Sequence, residues 1–514
     1  MNIFYEKHRQ KIIITFLLIL GLVIRIQFFD FSTPIPTWDG GLFLTMTTDL
    51  INNQFQIPKF TSYNHQHIPF AYPALSFYFI GFINYLTHID LLLLLKHLPL
   101  IYNLVAIPFF YYLSKEITND EGKAIISSIL FTISKPSYEW FIMGGGITRS
   151  PAYTFAIITI FLFVRGINKN KISSIILSGV FLGLSAMHHL EKAQFTIIAL
   201  TLITLLYKRS FRNIKFYLVA GFVSLLCFLP LFVPVYKFHG LDPYISALSS
   251  GEFSFPLSII KLVFFNFFSI SPFLDIVSVI TLIGFTIKLF EKTSYSKFLP
   301  IWLIIICFLN PRSVDKFAII PGSILFSYGL TILSNGLDTY IKSRNYQIFI
   351  EKKEYRKLSI LFSLILILSI LFSSKVNTLT KFSISEEDIK AMNWIKENTP
   401  ETASFIVIPS SFWAGDLVGE WFPAFTNRTN VLCVQGTEWN GNYKLMRETH
   451  ENFNLSLKNS GVENTINNLI NQSEYIYCSE HQYLPTINYC PQNIKNYSTI
   501  YKDSEKNIFI YQKQ

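Results

Sequence analysis

About eleven stretches of this chain are apolar enough, at about 17 residues or more, to be read as membrane spans, and that repetition limits the fold more than any other feature. They fall near 12–28, 95–113, 123–140, 150–166, 172–189, 193–207, 214–236, 273–290, 298–310, 317–334 and 358–374. Lipid offers no partner for backbone N–H and C=O groups, so such runs are read as helices that satisfy their own backbone. Composition agrees. The chain is 51% hydrophobic and only 15% charged, against about a quarter charged in soluble domains. The first run follows Lys7, Arg9 and Lys11 without a small-residue cleavage site, so an uncleaved first helix is expected.

The basic residues set the orientation. They cluster at Lys7/Arg9/Lys11, Arg165–Lys171, Lys208–Lys215, Lys288–Lys297 and Lys342–Lys357. All fall on one side, the cytoplasmic one, if Phe70–Thr87 lies at the outer interface instead of crossing. The apolar stretch Leu257–Ile270 is read the same way. The net charge of +10 thus serves topology, and no nucleic-acid partner is implied. The expected architecture is a polytopic α-helical membrane region over residues 1–374, with a long first outer loop at 29–94, and a mixed α/β domain over 375–514. An odd number of spans puts that last domain outside the cytoplasm. It opens with an amphipathic pattern at Glu386–Asn398 and a short strand at Ser404–Ile408. Sequons at Asn427, Asn454, Asn471 and Asn496 suit an outside location, where Cys478 and Cys490 can also pair.

Four polar features fall on the outer side under this topology. Trp38-Asp39-Gly40-Gly41 places a carboxylate among small residues just after the first helix, where it can serve as a base or hold a metal. The plain alternative is an interfacial turn in which Asp39 caps a helix starting at Gly40. Gly144-Gly145-Gly146 followed by Arg149 and Pro151 can bring backbone N–H groups and a guanidinium to an anion; its alternative is a flexible turn before a helix. His188, His189, Glu191 and Lys192 crowd a very short turn between two spans, either lining a headgroup cavity or merely solvated. Arg312 and Lys316 can hold a phosphate or anchor at the interface. Acidic and basic groups meeting at one membrane boundary suit a polar acceptor brought to a lipid-linked anion. A transporter site would lie nearer the midplane.

These residues resemble the GT-C superfamily of integral-membrane glycosyltransferases, which keep a catalytic Asp in the first outer loop. Asp39 in TWDGGLF stands at that position, and Tyr72-Pro73 resembles the end of that loop. Residues 114–153 look like the corresponding part of the oligosaccharyltransferase catalytic subunit, as does 411–440 with Asn427-Arg428-Thr429 and Glu438-Trp439-Asn440. Two departures stand out. The acidic pair that follows "RS" in that subunit and holds a metal is missing after Arg149-Ser150, and its "WWD" is represented only by Trp413-Ala414-Gly415-Asp416. The likeness is therefore better to the protein-mannosyltransferase and aminoarabinose-transferase branches.

That resemblance implies an inverting hexosyl or pentosyl transferase using a polyprenyl-phosphate sugar, in the cell membrane, with a lipid, glycan or protein acceptor. It implies Asp39 as base, Arg149, Arg312 and Lys316 on the donor phosphate, and His188, His189 and Glu191 lining the cavity, with no cofactor and no favoured metal. The competing readings are a transporter or flippase for a lipid-linked sugar and a non-catalytic membrane scaffold.

Overall fold

The computed structural model describes residues 2–29, 31, 33–251, 276–291, 294–309, 314–343, 384–467, 473–479, 490–491, 493–503 and 507–514. Its first half runs α1 (Asn2–Ile26), α2 (Gly41–Asn52), α3 (Leu75–Thr87), α4 (Leu91–Thr118), α5 (Glu121–Ile133), α6 (Gly146–Lys169), α7 (Ile172–His188) and α8 (Leu190–Leu206). It continues through α9 (Phe211–His239), α10 (Asp242–Ser249), α11 (Ile276–Phe290), α12 (Phe298–Leu309) and α13 (Val314–Ser343). Helices α4, α6 and α9 and residues Val314–Asn335 of α13 are long and apolar enough to cross a membrane; α3, α7, α12 and most of α11 are apolar but shorter. Ten of the expected spans thus have a helical counterpart. The expected span at 358–374 and the stretch Leu257–Ile270 lie outside the described residues.

Helix α3 is short, its 13 residues rising about 20 Å, and in this it resembles α5 and α12. The run at 123–140 is not one helix. Helix α5 stops at Ile133, Ser134 takes an extended backbone ahead of Pro136, and two 3-10 turns (Lys135–Ser137, Glu139–Phe141) lead into α6. Those turns present Trp140 to the region described below.

The bundle core is aromatic. Phe110 stacks on Phe131 at 4.1 Å, Phe141 on Tyr153 at 4.2 Å and Phe195 on Phe317 at 4.0 Å. Hydroxyls stitch α6 to α4, with Ser150 donating to the Pro99 carbonyl (2.7 Å) and Thr154 to that of Tyr102 (2.8 Å). One end of the bundle collects basic and amide side chains: Arg9 pairs with Glu121 (3.0 Å), and Lys208 reaches Asn168 (2.8 Å).

The opposite end carries the loop between α1 and α4 and the C-terminal region. That region holds α14 (Glu386–Asn398), β1 (Ser404–Val407), α15 (Leu417–Thr426), β2 (Thr429–Asn430), α16 (Tyr443–Asn467), β3 (Tyr475–Ser479), β4 (Tyr497–Asp503) and β5 (Ile508–Lys513). The strands form one mixed sheet in the order β2-β1-β3-β5-β4, parallel across β2-β1-β3 and antiparallel beyond. Helix α14 begins where expected because Ser385 and Asp388 form a reciprocal capping box, and it buries Ala391, Met392 and Ile395 against the sheet. Cys478 and Cys490 form a disulfide.

The two regions are packed together. Ile35 from the loop joins the core of the sheet region, while Cys433 and Trp439 join the cluster around α2 and α3. The Asn64 side chain donates to the Asn430 carbonyl at 3.0 Å and accepts the Asn430 N–H at 2.6 Å.

Candidate active site

Asp39 lies where three parts of the chain converge: the loop after α1, the start of α6 and helix α15. Its Oδ1 accepts the Gly145 N–H at 3.0 Å, and its Oδ2 bonds the Arg149 guanidinium. The glycines permit this approach. A Cβ on Gly145 would collide with both Arg149 and the Asp39 carboxylate, and one on Gly144 would collide with the Asp39 carbonyl. The anion that the glycine run receives in this structure is thus the chain's own carboxylate. Asp39 does not cap α2, as the plain alternative supposed; the cap position is Gly40, which makes no side-chain cap bond.

Arg149 comes from the first turn of α6 and its guanidinium carbon sits over the Trp140 ring, 4.2 Å from its centroid. Lys316 approaches the same ring at 5.6 Å and pairs with Asp315 at 3.0 Å. Two cations therefore approach one indole, one of them bonded to Asp39. Glu191 pairs with Lys192 at 2.7 Å, and the fully buried Lys192 ammonium sits over Phe317 at 4.9 Å.

The histidines part company at the joint between α7 and α8. His188 points into the bundle, where its Nδ1 meets Ser76 Oγ at 2.6 Å and its ring packs on Phe155. His189, the single residue between the helices, faces the Tyr72 ring edge-on at 6.0 Å. Tyr72 in turn bonds Thr148 Oγ1 at 3.1 Å and packs against Trp439 at 5.5 Å. Arg312 lies outside the described residues. The structure thus gathers Asp39, Arg149 and Lys316 around Trp140 and turns His188 away. Among the described residues, no three His, Cys, Asp or Glu side chains form a metal-binding group.

Sequence reasoning missed Glu420. From α15, its Oε1 accepts the N–H groups of both Gly40 (2.8 Å) and Gly41 (3.1 Å). Burial, then the neighbouring Asp39 charge, pushes its carboxyl up to about 8. Trp421 beside it donates its indole N–H to the Trp38 carbonyl at 2.9 Å. The available signal was an acidic residue set among Val418, Trp421 and Phe422, since acids are seldom buried without a task. The buried Asp416 of the Trp413–Asp416 segment instead caps α15.

The fold has counterparts among known proteins. A family model described as dolichyl-phosphate-mannose-protein mannosyltransferase matches residues 72–233, a little under a third of the chain. No curated protein matches the sequence. Among solved structures, the chain is similar to the archaeal oligosaccharyltransferase AglB from Archaeoglobus fulgidus, in complex with an inhibitory peptide and a dolichol-phosphate. The two are 14% identical over 92% of this chain and 70% of that one, with a TM-score of 0.60. It is also similar to ArnT from Cupriavidus metallidurans bound to undecaprenyl phosphate, at 12% identity over 97% of each chain and a TM-score of 0.54. A third similar structure is the mycobacterial arabinofuranosyltransferase AftD, at 9% identity, a TM-score of 0.55, and 97% of this chain against 40% of that one. The chain therefore has the GT-C fold of membrane glycosyltransferases, with a mixed α/β region at its C-terminus. At these identities the shared feature is the fold.

Proposed function

We propose that this chain is a membrane glycosyltransferase that moves a sugar from a polyprenyl-phosphate donor to an acceptor, with Asp39 as the base. The observation that carries the reading is the placement of Asp39, fixed by Gly145 and Arg149 at the end of the bundle, with Lys316 near the same Trp140 ring as Arg149. The named ligands of two structural neighbours, dolichol-phosphate and undecaprenyl phosphate, suit a lipid-phosphate donor.

The reaction is a single displacement. An acceptor hydroxyl attacks the anomeric carbon, the bond from that carbon to the phosphate oxygen breaks, and the hydroxyl proton passes to Asp39. The polyprenyl phosphate departs with the electron pair. Oδ1 takes one amide N–H in this structure and keeps lone-pair capacity for that proton. Charge growing on the departing phosphate is what Arg149 and Lys316 would stabilise, a role the family resemblance also gives to Arg312. His189 and Glu191 would form the wall of the same cavity, with His188 behind it. One displacement with one base inverts the anomeric centre.

In this reading residues 1–374 form the transmembrane catalytic region and 375–514 an extracytoplasmic domain, in a cell membrane. Support comes from the basic residues Arg9, Lys115 and Lys208, which collect at the bundle end away from Asp39, as the positive-inside rule requires. The acceptor is a lipid, glycan or protein.

The test is turnover by purified protein in lipid of a panel of radiolabelled polyprenyl-phosphate sugars, wild type beside Asp39→Asn. A general base contributes about 10²–10⁴-fold, so the variant should lose at least about 100-fold in kcat while still binding donor. Equal turnover in the two proteins would remove Asp39 from the chemistry. No turnover of any donor by wild type would sink the transferase reading.

A further inference from the structure

The turn that bears Asp39 is held from outside itself. Trp38 has φ of 64°, a left-handed conformation that a bulky side chain adopts only when its surroundings enforce it. Three restraints come from α15. The Trp421 indole N–H bonds the Trp38 carbonyl at 2.9 Å, and a Cβ on Gly40 would lie 2.8 Å from the Trp421 ring. Glu420 Oε1 takes the N–H groups of Gly40 and Gly41, two donors that the first turn of α2 leaves without a helical partner. Tyr63 fixes α15 in turn, donating its hydroxyl to the Glu420 carbonyl at 2.6 Å.

From this geometry we infer that Glu420 is a positioning residue for the reaction: it is the link through which the C-terminal region aims the Asp39 carboxylate. The inference deepens the reading of Asp39 as base and rests on it. Both carboxylates are tied to the same short segment, Asp39 from the Gly145 and Arg149 side and Glu420 from the other. The groups facing Glu420 are Asp39 from the loop after α1, Arg149 from α6, and Tyr63 and Cys433. Arg149 is engaged by Asp39. Burial and the Asp39 charge push the Glu420 carboxyl up, favouring its protonated form, in which the carbonyl oxygen still accepts the two amides. Glutamine has the same shape and the same acceptor oxygen. Alanine leaves two buried donors unbonded and frees the turn.

The experiment compares wild type, Glu420→Ala, Glu420→Gln and Asp39→Asn, each as the full chain in lipid nanodiscs, with the polyprenyl-phosphate sugar that the wild type turns over. Three quantities are read: kcat and KM, the stoichiometry of donor binding, and amide hydrogen exchange over residues 38–44. A small misplacement of a reacting group costs on the order of 100-fold, so Glu420→Ala should lose about that in kcat. Its donor KM should stay within about threefold and its donor stoichiometry should match wild type, while exchange at Gly40 and Gly41 accelerates. Glu420→Gln should restore both the protection and most of kcat. A domain that merely misfolds would lower the number of donor sites instead. Wild-type kcat in Glu420→Ala, unchanged exchange there, or a Glu420→Gln protein as slow as the alanine variant would each overturn the inference. Failure of the base reading shows elsewhere, as wild-type turnover by Asp39→Asn.

Discussion

At the scale of single residues, Asp39 and Arg149 determine each other. The guanidinium is fixed by two unlike contacts, an N–H to the carboxylate and a cation–π contact with Trp140. Lysine in its place keeps the charge and loses both the planar donor and the stacking surface. Arg149→Lys should therefore lower kcat/KM by about 10- to 100-fold, a loss of roughly 1.4–2.8 kcal/mol in transition-state stabilisation. Measured kinetics within twofold of wild type would show that only the charge matters. Each member of the pair was legible in the sequence, because a charge beside a glycine run or just after an apolar run stands out. Their contact was not. The bond from Gly145 to Asp39 spans 106 positions and that from Arg149 spans 110, and no periodicity reports such a separation. The glycine run and Arg149 were read as a site for a phosphate, whereas in the structure the Gly145 N–H and the Arg149 guanidinium meet the chain's own Asp39 carboxylate. Glu420 escaped for the same reason: its partners, Gly40 and Gly41, lie about 380 positions away.

At the scale of elements, the legible ones announce their ends locally. Helix α14 was delimited at Glu386–Asn398 by its amphipathic pattern, and the structure keeps those bounds. The stretch 123–140 was misread as one span because hydropathy does not register the break at Ser134 and Pro136, and that break is what brings Trp140 beside Arg149. Helix α15 matters most, since it delivers Glu420 and Trp421 together. Its start depends on Asp416, which accepts from Gly419 N at 3.3 Å, from both Ser410 donors at 3.0 and 3.1 Å, and from His450 Nε2 at 3.3 Å. Removing a cap costs about 1 kcal/mol, and a buried polar group left without its partner about 1–3 kcal/mol more. His450 is 1% exposed, so water does not replace the lost contact. Asp416→Ala should thus destabilise the C-terminal region by about 2–4 kcal/mol, read as a lower melting temperature and faster proteolysis within 384–467. Asp416→Asn should recover part of this through its amide oxygen. A melting temperature unchanged in both variants would mean that α15 is held by packing alone.

At the scale of the whole molecule, the membrane region and the sheet region share one site, and a titratable group lies at their contact. The bundle was readable from hydropathy and its ends from basic residues, but composition says nothing of how the C-terminal region docks. That docking buries Glu420 beside Asp39, which gives stability a pH dependence of definite sign. Burial, and next the Asp39 charge, raise the folded-state pKa of Glu420 to about 8, whereas an unfolded or undocked chain titrates near 4.3. Between those values the docked state keeps a proton that the undocked state has released. The undocked state therefore binds fewer protons, and stability falls as pH rises through that window. Below the ordinary carboxylate range both states are protonated and the effect vanishes. Above about 8 both are ionised and the loss is complete. Its size is on the order of a few kcal/mol. The melting temperature of wild type in lipid should accordingly decline between about pH 5 and pH 8.5, and Glu420→Gln, which has the acceptor but no proton to lose, should flatten that part of the decline. The difference between the two curves isolates Glu420 from every other titrating group. Parallel curves would mean that Glu420 ionises inside the docked interface at its ordinary value, and that its two bonds to Gly40 and Gly41 are accepted by a charged carboxylate.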